Sequence, residues 1–399
     1  MTVRSLSPHE KDPGDAALRR FRRSLEGVIG VPATEGNSFT VLRNGDEIFP
    51  ALLDAIRGAQ RTIDFLTFVY WQGETGSRFA EALAERSRSG IRVRVLLDAM
   101  GAKPLDAAAI HLMESNGVHL HWFRPLRKLK PTRLNHRTHR KVVIVDEAIA
   151  FTGGVGIADV WLGNAADETQ WRDTHFAIRG PAVDGLRAAF LDNWAETAPD
   201  LFDESIDQFP NQPQPGSAIA QCVRGASETG WSDVATLLRT LIQLAEEQIR
   251  VTTAYFVPEP EISARLCDAS DRGVRVDVLV PGPHADKRFV QLAAEASYTE
   301  LLDHGVNIWS FQPTMLHAKV MTVDSLVSNI GSANLNSRSN ALDEEINVVV
   351  LDTDLARTLD RHFEDDLDRS LKIEPGRWER RSLPQRAMEV ASAPLRRYF

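Results

Sequence analysis

The sequence predicts an α/β fold of two similar domains, each a mixed β-sheet flanked by helices. A pseudo-twofold axis relates them and places an active site at their interface. Three observations predict this. Amphipathic helix patterns alternate with short β-rich runs along most of the 399 residues, as in chains built of βαβ units. Two long segments run through the same order of elements. A histidine-lysine motif closes each segment, 178 positions apart (317 − 139).

Residues 1–36 read as an arm, partly helical, because Leu18, Phe21, Leu25, Val28 and Ile29 fall at helical spacing beside Arg19, Arg20, Arg22 and Arg23. Domain one, 37–199, runs from the helix pattern FPALLDAIRG to the strand TIDFLTFVYW, then from the helix FAEALAERSRSG to the strand IRVRVLLD. The acidic, Pro-rich stretch 200–218 reads as a linker. Domain two, 219–372, repeats the order with VATLLRTLIQLAEEQ, IRVTTAYFVP, ISARLCDASDRG and VRVDVLVP. Gly90-Ile91-Arg92-Val93 in one copy matches Gly273-Val274-Arg275-Val276 in the other. The tail, 373–399, is basic. Both basic ends admit two readings, as surfaces for anionic lipid or as segments packed on the domains with solvated arginines.

The formal charge of −9 speaks against a protein that coats nucleic acid, which is usually basic over its binding face. The two cysteines, Cys222 and Cys267, form neither a zinc spacing nor a disulfide framework, which fits a reducing cytoplasm. The first residues lack the apolar core of a signal peptide, and no apolar run approaches 18 residues. A lipid substrate would therefore be met at the membrane surface, from the inner face of the cell membrane.

The chemistry sits in the repeated motif. His139-Arg140-Lys141 is followed by Asp146 and Gly153-Gly154; His317-Ala318-Lys319 is followed by Asp324 and Gly331-Ser332. Residues two apart on a strand share a face, so each copy sets an imidazole beside an ammonium at the rim of a buried strand. A phosphodiester suits this equipment. Two lysines near one phosphate each contribute on the order of 4 kcal/mol at an effective dielectric of ~20. One neutral histidine attacks phosphorus while the other, protonated, donates to the leaving oxygen. No cofactor or metal is needed, and one chain supplies a complete site, so a monomer suffices.

With its doubled HxKxxxxD motif the chain resembles the phospholipase D superfamily over roughly residues 40–372. WRDTHFAIRGPAV after the first motif and GSANLNSRS after the second make it similar to the bacterial cardiolipin synthase branch. The resemblance implies a seam site and a two-step mechanism through a phosphohistidine, with an alcohol in place of water in the second step. It implies His139 as nucleophile and His317 as acid/base, with Lys141 and Lys319 on the phosphate oxygens and Ser332 and Asn334 as further phosphate donors. Asp146 and Asp324 complete the motifs, and a structural role suits them better than proton transfer. Asp173 is expected to orient His139, and Glu345 to orient His317, with Glu344 as the adjacent competitor. Gly156 stands where the family often has Asn.

Outside the motifs, His136 faces away from His139 and reads as a rim residue. His175, two from Asp173, reads as packing or as part of the site. The basic run Arg124–Arg140 is expected to attract an anionic substrate. Tyr70, Trp71, Tyr255 and Phe256 follow equivalent strands and are read as site walls or as core. The function expected is a phosphatidyltransferase of cardiolipin synthase type, acting on phosphatidylglycerol or another alcohol. Its alternatives are a phosphodiesterase of phospholipid or nucleic acid and a non-catalytic membrane-binding protein.

Overall fold

A computed structural model describes residues 13–125, 135–198, 209–225, 233–287, 290–291, 295 and 297–379. The strands of the first half are β1 (Thr34–Arg43), β2 (Thr62–Thr67), β3 (Arg92–Asp98), β4 (His119–Phe123), β5 (Val142–Val145), β6 (Ile149–Gly153) and β7 (Thr174–Arg179). Those of the second are β8 (Ala218–Arg224), β9 (Gln248–Thr252), β10 (Arg275–Pro281), β11 (Asn307–Phe311), β12 (Val320–Val323), β13 (Val327–Gly331), β14 (Ile346–Leu351) and β15 (Ser370–Lys372).

All of them join one sheet, in the order β15-β11-β10-β9-β12-β13-β14-β8-β1-β7-β6-β5-β2-β3-β4. Read outward from the central β8/β1 pair, the two sides repeat one topology, and β15 is an addition at one edge. Each side carries a parallel trio, β2/β3/β4 or β9/β10/β11, and a set of antiparallel neighbours. The two domains therefore share a continuous sheet across their pseudo-twofold axis. The join is the antiparallel contact of β1 with β8, in register at Thr34↔Ala220 and Asn37↔Ala218 with an irregularity between them.

Helices cover both faces because their apolar residues form stripes. In the helix Asn44–Gly58, the buried Ile48, Phe49, Leu52, Leu53 and Ile56 lie on one side. In the helix Thr353–Leu367, the Asp352 carboxylate caps the start by accepting from Leu355 N at 2.8 Å. Strand β2 is buried along its whole length. Its one charge, Asp64, is matched by Arg94, whose Nε and Nη2 donate at 2.7 and 2.8 Å.

A large apolar cluster belongs to each half, a small one around Phe311 and Phe363 to the second half, and a further large one is shared. Leu66, Phe176, Phe190 and Trp194 of the first half pack there with Ile330, Ile346, Val348 and Leu359 of the second. This common layer holds the two halves in fixed relation. The helix of the arm, Pro13–Ile29, inserts Phe21 and Leu25 into the core of the second half. Arg20 pairs with Glu246, and Arg22 with Glu26 and Glu35, so these arginines decorate a packed helix. Most of the basic tail (380–399) and part of the linker (200–208) lie outside the described residues.

Candidate active site

Each motif enters its strand, β5 or β12, through a segment strapped to the opposite half. His139 N donates to Glu344 O at 2.9 Å, and Glu344 N to Arg137 O at 2.8 Å. In the other copy, His317 N donates to Arg172 O at 2.7 Å, and Arg172 N to Met315 O at 2.9 Å. The residue after each strap is an acid, Glu345 or Asp173.

This crossing corrects the expected pairing of acids and histidines. His139 Nδ1 meets Glu345 Oε1 at 2.9 Å, and His317 Nδ1 meets Asp173 Oδ2 at 2.9 Å. Each histidine is oriented by the carboxylate of the other half. Within one half, β6 separates β5 from β7, and two strand spacings amount to about 9.6 Å, beyond hydrogen-bond reach. Across the seam, bridges at Thr138↔Glu344 and Arg172↔Leu316 set the segments side by side.

Both carboxylates are fully buried. Burial raises the Asp173 pKa, but the hydrogen bond from His317, with the charge of Lys319 and the amide of Thr174, holds it below the usual range. The carboxyl of Glu345 is held low in the same way, against its burial, by His139, Lys141 and Ser332. Burial pushes both imidazoles well below their ordinary value, and the lysines add to this while the carboxylates oppose it. The resting site thus holds two neutral imidazoles. Each gives its Nδ1 hydrogen to a carboxylate, which leaves Nε2 with a lone pair. Burial also lowers the lysines, Lys141 to about 7 and Lys319 to about 8. Lys141 Nζ donates to His139 O at 2.7 Å, and Lys319 Nζ lies 3.2 Å from His317 Nε2.

His139, Lys141 and His317 line one pocket. Its walls include Phe68, Trp71, Trp161, Trp171 and Tyr255. Phe68 meets the His139 ring edge-on at 5.3 Å; Trp161 and Trp171 stand 5.3 and 5.5 Å from the His317 ring.

The family model for "Cardiolipin synthase, PLD-like domain" matches residues 52–165 and 238–367, one stretch in each half. Cardiolipin synthase 2 of Bacillus anthracis is 34% identical over 355 residues, covering 87% of this chain and 68% of that protein. The chain belongs to the phospholipase D superfamily, in its cardiolipin synthase-like branch. It is an enzyme of the superfamily's phosphatidyltransferase type. The probable cardiolipin synthase YwiE of Bacillus subtilis is 32% identical over 97% of this chain and 78% of that one. The crystal structure of a phosphatidylserine synthase from Haemophilus influenzae superposes with a TM-score of 0.74 at 14% identity, over 95% of this chain and all of that one.

Within this family pattern the two half-sites differ. Ser332, expected on the substrate phosphate, is fully buried and donates to Glu345, so it is a support for the carboxylate. A Cβ at the equivalent Gly154 would stand 2.2 Å from Asp173 Oδ1. No serine fits there, and Trp161 Nε1 donates to Asp173 instead, at 2.9 Å. A Cβ at Gly156 would lie 2.6 Å from Val69 Cβ, so Val69 fills the place an Asn would take. Asn334, the counterpart of Gly156, does line the pocket.

Asp146 and Asp324, grouped with the catalytic residues, are placed at the far ends of their strands. Asp146 accepts from the backbone N–H groups of Gln60, Arg61 and Thr62; Asp324 accepts from those of Glu246, Glu247 and Gln248. Their chemistry is turn closure. Glu344 turns away from the histidines to Arg124 and Asn193. His136 is half-buried against Leu342 O, and His175 is buried beside Gly153. Trp71 and Tyr255 line the pocket, whereas Tyr70 and Phe256 are core. Of the basic run, Arg124, Arg137 and Arg140 are buried in pairs with Glu196, Asp98 and backbone carbonyls, so they offer no free charge to a substrate. Residues 126–134 lie outside the described residues. Sequence reasoning missed Phe68, Trp161 and Trp171, which carry no repeat signal, and Arg338 and Asp343, which also line the pocket.

Proposed function

We propose that the chain transfers a phosphatidyl group from one phospholipid to the alcohol of another, with phosphatidylglycerol as both donor and acceptor, through a phosphohistidine. The observation that carries this is the pair of histidines crossed between the halves. Each is anchored through Nδ1 to a buried carboxylate, beside a lysine, on one pocket. His139 Nε2 attacks phosphorus; the P–N bond forms as the P–O bond to the leaving glycerol breaks. His317, protonated as the anionic phosphate enters, gives its proton to the leaving oxygen. In the second step the acceptor hydroxyl passes its proton to His317 and attacks phosphorus. The new P–O bond forms, the P–N bond breaks, and His139 is restored. Lys141 and Lys319 hold the phosphate oxygens through both steps. Glu345 and Asp173 stabilise whichever imidazole is cationic.

The aromatic walls suit the glycerol and proximal acyl portions of a lipid presented at a membrane surface. Among the described residues no helix is long and apolar enough to cross a membrane, and peripheral attachment is the mode proposed. One chain holds both half-sites, so a monomer suffices.

The test is mass spectrometry of products from phosphatidylglycerol in mixed micelles. The wild type is expected to release glycerol and form cardiolipin. His139→Ala and His317→Ala should abolish this, and Glu345→Gln should slow it by about 10–100-fold, as for a partner that orients a reacting imidazole. Phosphatidic acid as the sole product would make the enzyme a hydrolase. No phosphatidyl product at all would sink the reading.

A further inference from the structure

The pocket has two polar regions with opposite demands. Around the motif histidines it is cationic: Lys141 lines it, and Lys319 Nζ stands 3.2 Å from His317 Nε2. It is also lined by Asp343, which the transfer chemistry does not use, and by Asn334, whose side-chain carbonyl a phosphate does not use.

Asp343 is a built feature. Its side chain is 8% exposed. One oxygen, Oδ2, accepts from Arg338 Nε at 2.9 Å. Arg338 is itself fixed, with Nη1 and Nη2 each donating to Asn135, at 3.0 Å, through Oδ1 and the carbonyl. The backbone closes the same loop, since Asp343 N donates to Arg338 O at 3.0 Å. The other carboxylate oxygen, Oδ1, is buried and has no hydrogen-bond partner within the protein. Asn334 Oδ1 is likewise buried without a partner.

Two residues of one pocket, each with a buried acceptor that lacks a donor, state what the ligand must bring there. A buried polar atom left unsatisfied is costly, so such atoms are usually matched by water or by ligand. A phosphodiester oxygen only accepts, and it is repelled by Asp343 and by the nearby Glu345. A hydroxyl donates. Two neighbouring hydroxyls would satisfy both acceptors, whereas a plain alkyl alcohol, its one hydroxyl committed to phosphorus, would satisfy neither.

We propose that Asp343, braced by Arg338 and assisted by Asn334, is the specificity-determining residue for the acceptor alcohol and selects a polyol through hydrogen bonds from its non-reacting hydroxyls. This rests on the transferase reading above. It makes Asp343 a positioning residue that acts on the second step.

The experiment is a competition in one tube. Phosphatidylglycerol is the donor, and isotopically labelled glycerol and 1-propanol are present at equal concentration. The ratio of labelled phosphatidylglycerol to phosphatidylpropanol is read by mass spectrometry. Because it is a ratio, it does not depend on how much of a variant is folded. The wild type should favour glycerol. Asp343→Ala should lower the ratio about 10-fold, the equivalent of one hydrogen bond to a charged group. Asp343→Asn, which keeps a neutral acceptor, should lower it about 3-fold. An unchanged ratio in both variants overturns the proposal, as does an unchanged ratio in Asp343→Asn alone if Asp343→Ala yields no product. Equal loss of both products with the ratio intact makes Asp343 merely structural. If the wild type transfers to neither alcohol and makes no cardiolipin, the transferase reading itself falls.

Discussion

At the scale of single residues, burial decides the state of the site before a substrate arrives. It lowers Lys141 to about 7 and Lys319 to about 8, so the two cations that should receive a phosphate are themselves titratable near neutrality. The sign follows directly. As pH rises through 7 to 8 the free enzyme loses positive charge, while a bound phosphate favours the charged lysines. The value of kcat/KM, which reports the free enzyme, should therefore fall above about pH 7, and kcat should fall less. Lys141→Arg, whose guanidinium stays protonated, should move this limb upward toward the value of Lys319 even though it lowers the rate at pH 7. Burial also pushes the Asp343 carboxyl up to about 7, so it titrates in the same window, and a matching profile on Asp343→Asn separates the two. A limb unmoved by Lys141→Arg would remove Lys141 from phosphate binding.

At the scale of elements, the motif strand serves two ends. Its start carries histidine and lysine, and its finish carries an aspartate that closes a turn. Asp146 and Asp324 both sit at positive φ, 55° and 54°, and each gathers three backbone N–H groups from the turn that leads into the neighbouring strand and from its first residue. The motif's spacing is thus the length of one short strand. Asp146→Ala removes the shared acceptor from three donors and should cost about 1–3 kcal/mol of stability, seen as a lower denaturant midpoint. Asp146→Asn, which tolerates the left-handed backbone and keeps an oxygen, should cost less. In both variants kcat per folded molecule should stay near wild type, and a large fall in kcat at unchanged stability would return Asp146 to the chemistry.

Much of this level was legible in the sequence. Short β-rich runs and helical patterns marked β2, β3, β9 and β10 and the helices before them, and the duplication marked His139 and His317. The partners of those histidines were not legible. Asp173 follows the first motif and Glu345 the second, and chain order suggests pairing within each half. Proximity across a seam has no sequence signal. The tasks of Ser332 and Gly154 were hidden for the same reason, since each is set by how closely a carboxylate approaches in space.

At the scale of the whole molecule, a site assembled from crossed halves works only while the halves stay registered. A misplacement of about 1 Å can cost on the order of 100-fold in rate, so the seam must be stiff. Two features make it so: the continuous sheet through β1 and β8, and the apolar layer shared by both halves. Phe190 belongs to that layer, is fully buried, and stacks on Trp194 with ring centres 5.5 Å apart. Phe190→Ala opens a cavity and should cost about 3–5 kcal/mol. If the halves are one cooperative unit, the loss should lower a single unfolding transition, with tryptophan fluorescence and circular dichroism falling together. Activity should fade along the same curve, because both histidines lose their cross-seam carboxylates at once. Two separated transitions in the variant, with the second half melting at the wild-type midpoint, would show that the halves fold independently. The sheet would then be a docked pair, and the stiffness of the site would have to come from the straps at Glu344 and Arg172 alone.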